Sequence, residues 1–501
     1  MELTLPGRAW AAPGTDAHRR GRVWERRSGL GSSAPSLDRP LIPTPPDADR
    51  HANGDDGKDD RRSALLAIVV AAVVALAAVA AFSTSDGSFD AAVDAPTIDA
   101  DDLSLGSMYH VVDQVDARDA WALGATGQGV NVAVIDTGVA DVAALESQVV
   151  ARADLSAEAA NPDLRFVDTN GHGTHMAGVI AGRDPGVDPT ASVDRPDQFV
   201  GVAPDAGIVS VKVAGRDGDT AASDVIAGID WVIEHADELD IGVINLSYNS
   251  GSTLPYTDDP VTAAVERAWN AGIVVVTAAG NAGPDSSSLI SPAVDPFVIA
   301  VGGAEIDDEG LDVADWASRS DGVRNPDLAA PGAHIQSLRA PGSDADVNHP
   351  EGYVDANLFL GSGSSQSAAV VTGVVALMLD ANPSLTPDQV KAILVDTASP
   401  IPGGTDDRSG AGLVDADAAV AAAVDNAFAD ATQSFEPATQ VGQPVADLVS
   451  LDPVWEGVHW EGVHWEGVHW EGVHWEGVHW EGVHWEGVHW EGVHWEGVHW
   501  E

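Results

Sequence analysis

Cysteine is absent from all 501 residues, so the chain can build no disulfide framework, thiolate metal centre or cysteine nucleophile. Lysine is nearly absent too, with Lys58, Lys212 and Lys391 the only three. Basic residues total 24 against 78 acidic ones, a formal net charge of −54. That balance excludes a nucleic-acid partner, because phosphate contacts need clustered Lys and Arg. Wholesale disorder is excluded as well, since 44% of the residues are hydrophobic, enough for one sizeable core. Length alone would suggest about three domains, and the composition argues for fewer.

What is present is unevenly spread. Residues 1–62 carry 11 basic and 10 acidic side chains, residues 63–82 carry neither, and the remainder carries 13 against 68. Such an acidic, lysine-poor surface suits high salt, where self-repulsion is screened, and it also suits a genome biased toward Arg, Ala and Asp. The uncharged stretch SALLAIVVAAVVALAAVAAF, Ser63 to Phe82, is long enough to cross a bilayer as one helix. Arg61 and Arg62 precede it, and Asp86, Asp90 and Asp94 follow, which places residues 1–62 inside and the rest outside the cell. Ala78-Val79-Ala80 offers a signal-cleavage pattern, but a 62-residue leader is long for a signal, so the anchor reading is preferred.

Residues 1–62, rich in Pro, Arg, Asp and Gly, read as disordered, and 83–106 as a linker. From 107 to 426 short apolar runs alternate with Ala-rich helical stretches. The runs are NVAVID at 131–136, AGIVSVKV at 206–213, IGVINLS at 241–247, GIVVVTAAG at 272–280 and PFVIAVGG at 296–303. Continuous apolar runs mark strands buried on both faces, and the intervening helices predict an α/β fold with a parallel sheet. Thr386-Pro387-Asp388-Gln389 reads as an N-cap, a first-turn proline and a capping-box glutamine opening a helix. Residues 427–455 read as a second linker, and from Glu456 the pentapeptide EGVHW repeats nine times.

Three segments carry chemistry. The run at 131–136 ends in Asp136-Thr137-Gly138, at the carboxyl end of a strand, where open parallel sheets keep their functional crevice. Taken alone, that Asp could cap a loop or belong to an aspartic protease, although the chain offers no second such loop. Next, NGHGTHMAG at 170–178 surrounds His172 with residues that let other groups approach the ring. Third, GSGSSQS at 361–367 feeds a helix of small residues, putting a hydroxyl at a helix N-terminus where N–H groups can stabilise an oxyanion. Alone it could be only an N-cap.

Asp, then His, then Ser, in that order on a parallel α/β framework, resembles the subtilisin-like serine proteases, or subtilases. VNVAVIDTGV, GHGTHMAGVIAG and SGSSQSAAVVTGVVALML resemble the family's three triad segments. Between and after them, GVAPDAGIVSVKV, VINLS, VTAAGNAG, ISPAVDPFVIAVGG, LAAPG and GAGLVDADAAV fall in the family's order, over about 320 residues. The resemblance implies a three-layer subtilisin-like fold, a parallel central sheet flanked by helices, and a serine endopeptidase acting on polypeptides. It implies Ser365 as nucleophile, His172 as general base then acid, and Asp136 as the group holding the His172 tautomer. Asn281, with the Ser365 N–H, would bind the oxyanion. Gly218, Asp219 and Thr220 on one side and Ser247, Tyr248 and Asn249 on the other would pair with substrate, and Pro292 would be cis.

Four departures from the family pattern matter. Its Ser segment usually reads GTSMA, with a proline where this chain has Ala369. Asn249-Ser250 replaces two glycines beside the primary pocket, which predicts a preference for smaller substrate side chains. Only about 25 residues separate the uncharged stretch from the catalytic start, leaving no room there for the family's usual prodomain. The segment after Asp136 also lacks an acidic calcium ligand of some relatives. No metal ligand is assigned, no cofactor is required, and calcium is the one ion admitted, through Asp184, Asp188, Asp194 and Asp197 of the loop 183–200.

The tail's period argues against a metal site. Five residues turn a helix by about 140°, and in a strand same-face His residues lie about 33 Å apart. One Gly per repeat also costs a helix about 1 kcal/mol each time. The tail reads as a disordered tract, a stacked β-like array or an aromatic attachment segment. The last of these, on a catalytically dead fold, is the rival from another functional class. Oligomeric state is left open.

Overall fold

A strand that is apolar at every position has nowhere to put a solvent face, so it must be covered from both sides. The computed structural model describes residues 99–189, 195–307, 310–439, 441 and 464–465. The uncharged stretch 63–82 and most of the EGVHW tail lie outside the described residues. Strands β1 (Asn131–Asp136), β2 (Val149–Asp154), β3 (Gly207–Lys212), β4 (Ile241–Leu246), β5 (Val274–Ala278), β6 (Ile299–Asp307), β7 (Gly310–Val313) and β8 (Leu328–Pro331) form one sheet. Its order is β2-β3-β1-β4-β5-β6-β7, with β8 also paired to β6. All pairings are parallel except β6 with β7. In β3 and β5 every residue is buried, and in β1 and β4 all but one.

Helices flank this sheet in two layers. Ala222–His235 packs on β1 and against Pro260–Asn270, while Ser364–Ala381 packs on β4, β5, β6 and β8. The latter also meets the helices His172–Ala181 and Ala416–Val424. Among the described residues Ser364–Ala381 alone is long and apolar enough to cross a membrane. Its Ser364–Leu379 stretch is buried throughout, as expected of a helix hydrophobic all round at the centre of a domain. The three-layer α/β expectation therefore holds. Thr386 also caps Pro387–Thr397 reciprocally, its N–H donating to Gln389 Oε1 at 2.8 Å and its hydroxyl accepting from Gln389 N.

Two features position the site. First, β1 stands between β3 and β4, so the chain leaves it toward one side of the sheet and later builds outward on the other. A crevice opens where the strand order switches, at the carboxyl end of β1. Second, β9 (Ile335–Leu338) and β10 (Leu358–Ser362) pair antiparallel outside the main sheet, and β10 runs directly into the Ser364–Ala381 helix.

The chain after Val424 turns back across the surface. Gln433 N donates to Asp388 Oδ2 at 3.0 Å, Ala438 N to Glu266 Oε1 at 2.7 Å, and Thr439 N to Thr257 O at 2.7 Å. Beneath this strap the carboxyls of Glu266 and Asp295 are buried as close electrostatic neighbours. Asp295 is pushed up to about 8, by burial first and by Glu266 second. A carboxyl whose folded pKa is raised binds its proton more tightly in the native state. Its stabilisation is therefore complete at acid pH and drains away as pH climbs toward 8. Burial lowers Lys391 to about 8, and that opposite sign makes its destabilisation ease only above pH 8. Thermal melting is expected to fall from about pH 5 to 8, and Asp295→Asn to flatten that limb.

Candidate active site

The last residue of β1, Asp136, is fully buried, and both its oxygens lie 2.9 Å from His172 Nδ1. His172 opens the helix His172–Ala181 and is itself only 2% exposed. A ring held through Nδ1–H by a carboxylate presents Nε2 as the basic nitrogen. The close approach depends on Gly173, since a Cβ there would lie 3.1 Å from Asp136 Oδ1 and collide with the Gly138 carbonyl.

A second buried carboxylate clamps the two segments together. Asp168 Oδ1 accepts from Thr137 Oγ1 at 2.8 Å and from the N–H groups of Gly171 at 2.7 Å and Asn170 at 3.2 Å. Its Oδ2 accepts from Thr174 N at 2.9 Å and Thr174 Oγ1 at 2.5 Å. Thr137 Oγ1 in turn accepts from Gly173 N at 2.9 Å, and Thr174 Oγ1 from Ala140 N at 2.9 Å. One carboxylate thus satisfies orphan donors of the His172 helix and fixes the turn that carries Asp136. Asp168→Asn keeps the shape but offers an amide hydrogen to donors on one side. It is expected to lower kcat by roughly 10- to 100-fold, as small misplacements of reacting groups do, with KM nearly unchanged. Steady-state kinetics of the variant, beside circular dichroism that confirms the fold, check the split between kcat and KM.

Below the same turn lies a fully buried cation. Lys212, opposite Asp136 in the β1–β3 register, donates to the carbonyls of Thr137 at 2.9 Å and Ala214 at 2.8 Å. It pairs with Glu158 Oε2 at 3.0 Å, which also accepts from Thr169 Oγ1. His175, one turn beyond His172, is wholly buried, and its Nε2 bridges Ile335 O and Phe359 O of β9 and β10 at 3.3 and 3.2 Å. Burial, then the neighbouring His172, lowers it to about 3, so it stays neutral.

Ser365 is the second residue of Ser364–Ala381, and that helix packs directly on the His172 helix. Its first turn is tied to three strand ends. Ser364 N donates to Asn281 Oδ1 at 2.8 Å, Gly280 N to Ser364 Oγ at 3.1 Å, and Ser367 Oγ to Ala330 O at 2.9 Å. Ser247 Oγ, beyond β4, donates to Ser365 O at 3.4 Å. With its oxygen engaged by Ser364, the Asn281 amide keeps its nitrogen as the donor end. The Ser365 N–H has no i−4 partner within the helix. Asn281 and Ser365 are thereby brought to one helix N-terminus, next to the helix that begins with His172.

The two segments read as substrate strands are loops, leaving β3 and β4 on either side of β1. In the first, Gly218 adopts φ +81° and donates to Gly215 O at 3.1 Å, and Thr220 Oγ1 donates to Val213 O at 2.6 Å. Asp219 is exposed. In the second, Ser247 and Tyr248 are buried, and Asn249 Oδ1 accepts from Gly251 N at 2.9 Å. The peptide bond before Pro292 is cis. In the 183–200 loop, Asp184 Oδ2 is taken by Phe199 N at 2.8 Å and Asp197 by Arg195 at 2.8 Å, and Asp194 lies outside the described residues. Among the described residues no cluster of three or more His, Asp or Glu could hold a metal ion.

Asp168, Thr174 and Lys212 are residues that reading the sequence did not single out. Lys212 carried a usable signal, because two of only three lysines, Lys212 and Lys391, prove to be buried. A residue type excluded from a surface and retained inside is retained for its charge. Asp168 carried none, since an acid four residues before a His in a polar loop reads as solvated.

The profile of the Subtilase family matches residues 127–428, more than half of the chain. Serine protease AprX of Bacillus subtilis (strain 168) is 38% identical over 284 residues, covering 54% of this chain and 61% of the relative. Subtilisin BL of Lederbergia lenta is 33% identical over 308 residues, covering 62% of this chain and 97% of the relative. Alkaline elastase YaB of Bacillus sp. (strain YaB) is 30% identical over 321 residues, covering 64% and 72%. Fold, segment order and similarity agree, and the chain belongs to the subtilase family.

Proposed function

We propose that this chain is a serine endopeptidase that cleaves polypeptides through an acyl-enzyme. The observation that carries the reading is the buried Asp136–His172 pair, held beside the helix N-terminus that joins Ser365 to Asn281. His172 Nε2 takes the Ser365 hydroxyl proton as Oγ attacks the scissile carbonyl, and Asp136 stabilises the imidazolium. The oxyanion accepts from the Ser365 N–H and the Asn281 amide. Collapse breaks the C–N bond, and the proton passes from His172 to the leaving amine. Water, deprotonated by the same His172, then attacks the ester and releases Ser365. No metal or cofactor enters these steps. An aspartic mechanism is disfavoured because both Asp136 oxygens are occupied by His172.

Rapid mixing with an activated p-nitrophenyl ester tests the acyl-enzyme. A burst of p-nitrophenol equal to the enzyme concentration, followed by slower turnover, is expected. Linear release from a folded chain that also leaves casein intact would refute the reading.

Gly218, Asp219 and Thr220 would line one side of the bound peptide and Ser247, Tyr248 and Asn249 the other, through main-chain pairing. Asn249 brings a side chain where the family commonly has glycine, so small substrate side chains should be cleaved best. Asn249→Gly is expected to broaden a peptide-library profile toward aromatic residues, with unchanged kcat/KM on small ones. In the layout that fits this function, residues 107–426 are the peptidase domain. The 63–82 stretch tethers it to a membrane with the catalytic side outside the cell, a placement supported by the charge asymmetry across that stretch.

A further inference from the structure

β10 ends at Ser362, three residues before Ser365, and has two edges. One edge is covered by β9. Against the other lies β11 (His464–Trp465), a piece of the EGVHW tail, paired antiparallel with Ser362 opposite His464 and Gly361 opposite Trp465. The turn after β10 is fixed, with Gly363 N donating to Gly332 O and His334 N to Ser362 Oγ, both at 2.8 Å. A strand laid on this edge therefore passes close to the reacting hydroxyl.

The polarity of the pairing says which half of a substrate it imitates. β10 runs toward Ser365, so an antiparallel partner enters beside Ser365 and moves away toward its own C-terminus. A peptide whose scissile carbonyl sits at Ser365 sends its leaving-group half along this same path. The pairing uses backbone groups, so it needs no particular side chain, only a strand-forming segment free of proline. EGVHW meets that need, with Val and Trp favouring extended backbone, and nine copies offer nine equivalent registers.

We propose that the C-terminal EGVHW repeat is an intramolecular competitor that occupies the leaving-group side of its own cleft by strand addition to β10. The proposal rests on the protease reading above. A tethered segment reaches an effective concentration of order millimolar, so even a weakly binding repeat would hold the edge most of the time.

The test compares the intact chain with one of equal length whose residues 456–501 are replaced by a Gly/Ser sequence. Two substrates are used: a fluorogenic peptide extended by four residues beyond the scissile bond, and a peptide nitroanilide with none. The replacement is expected to lower KM for the extended peptide about tenfold, leave kcat unchanged, and leave the nitroanilide unaffected. Adding synthetic EGVHWEGVHWEGVHW at millimolar concentration should raise KM again, competitively. Equal KM values for the extended peptide in the two chains, or no effect of the synthetic peptide, would overturn the tail proposal alone. Two folded chains that hydrolyse neither substrate would overturn the protease reading and the proposal with it.

Discussion

Replacing Ser365 with Ala is expected to lower kcat by on the order of 10⁵ to 10⁶, with the substrate still bound. His172→Ala should cost about as much, and the double variant scarcely more than either. Nucleophile and base act as one unit, so once either is lost the other has nothing left to do. The residual rate comes from the oxyanion donors and substrate binding. The scaffold should tolerate both changes. Ser365 contributes no side-chain cap to its helix, and Asp168 fastens the His172 helix through backbone and Thr174 bonds, not through the imidazole. Circular dichroism and melting temperature near those of the parent, alongside lost turnover, give the expected result. Losses that multiply in the double variant would mean that the two residues act independently.

Asn281→Ala is expected to cost about 10² to 10³ in kcat and little in KM, a span taken from the subtilisin example of one lost oxyanion-hole donor. The ground-state carbonyl makes weaker demands on that amide than the tetrahedral oxyanion does, so binding is spared. Its oxygen also holds Ser364 N at 2.8 Å, so a second variant separates positioning from catalysis. Asn281→Asp keeps an acceptor for Ser364 and removes the donor. Equal losses in both variants assign the effect to the missing donor. Recovery of the parental rate in Asn281→Asp would assign it to the lost Ser364 tether.

The central sheet was legible because the runs that form β1, β3, β4, β5 and β6 are largely apolar, a pattern that points to two-sided burial. β2 was not, because VVARAD is partly exposed along most of its length and forms one edge of the sheet. β10 escaped for a related reason, being short and alternately buried. At the site, the three segments could be placed in order from sequence, but the contacts between them depend on distance folded away. Asp136 and His172 are 36 residues apart and Asn281 and Ser364 are 83 apart. Asp168 is the clearest example of what a sequence withholds. Its burial arises only when the turn after β1 and the start of the His172 helix close on it from two directions. The strap over Glu266 was equally silent, because many of its ties use its own backbone N–H and C=O groups, which carry no residue signature.

Fluorophosphonate labelling of the purified chain, read by intact mass and peptide mapping, bears most directly on the claim that Ser365 is an activated nucleophile. A single adduct is expected, located on Ser365, absent from Ser365→Ala and strongly slowed in His172→Ala. A folded parent chain that takes no label, or takes it at another residue, would contradict the account.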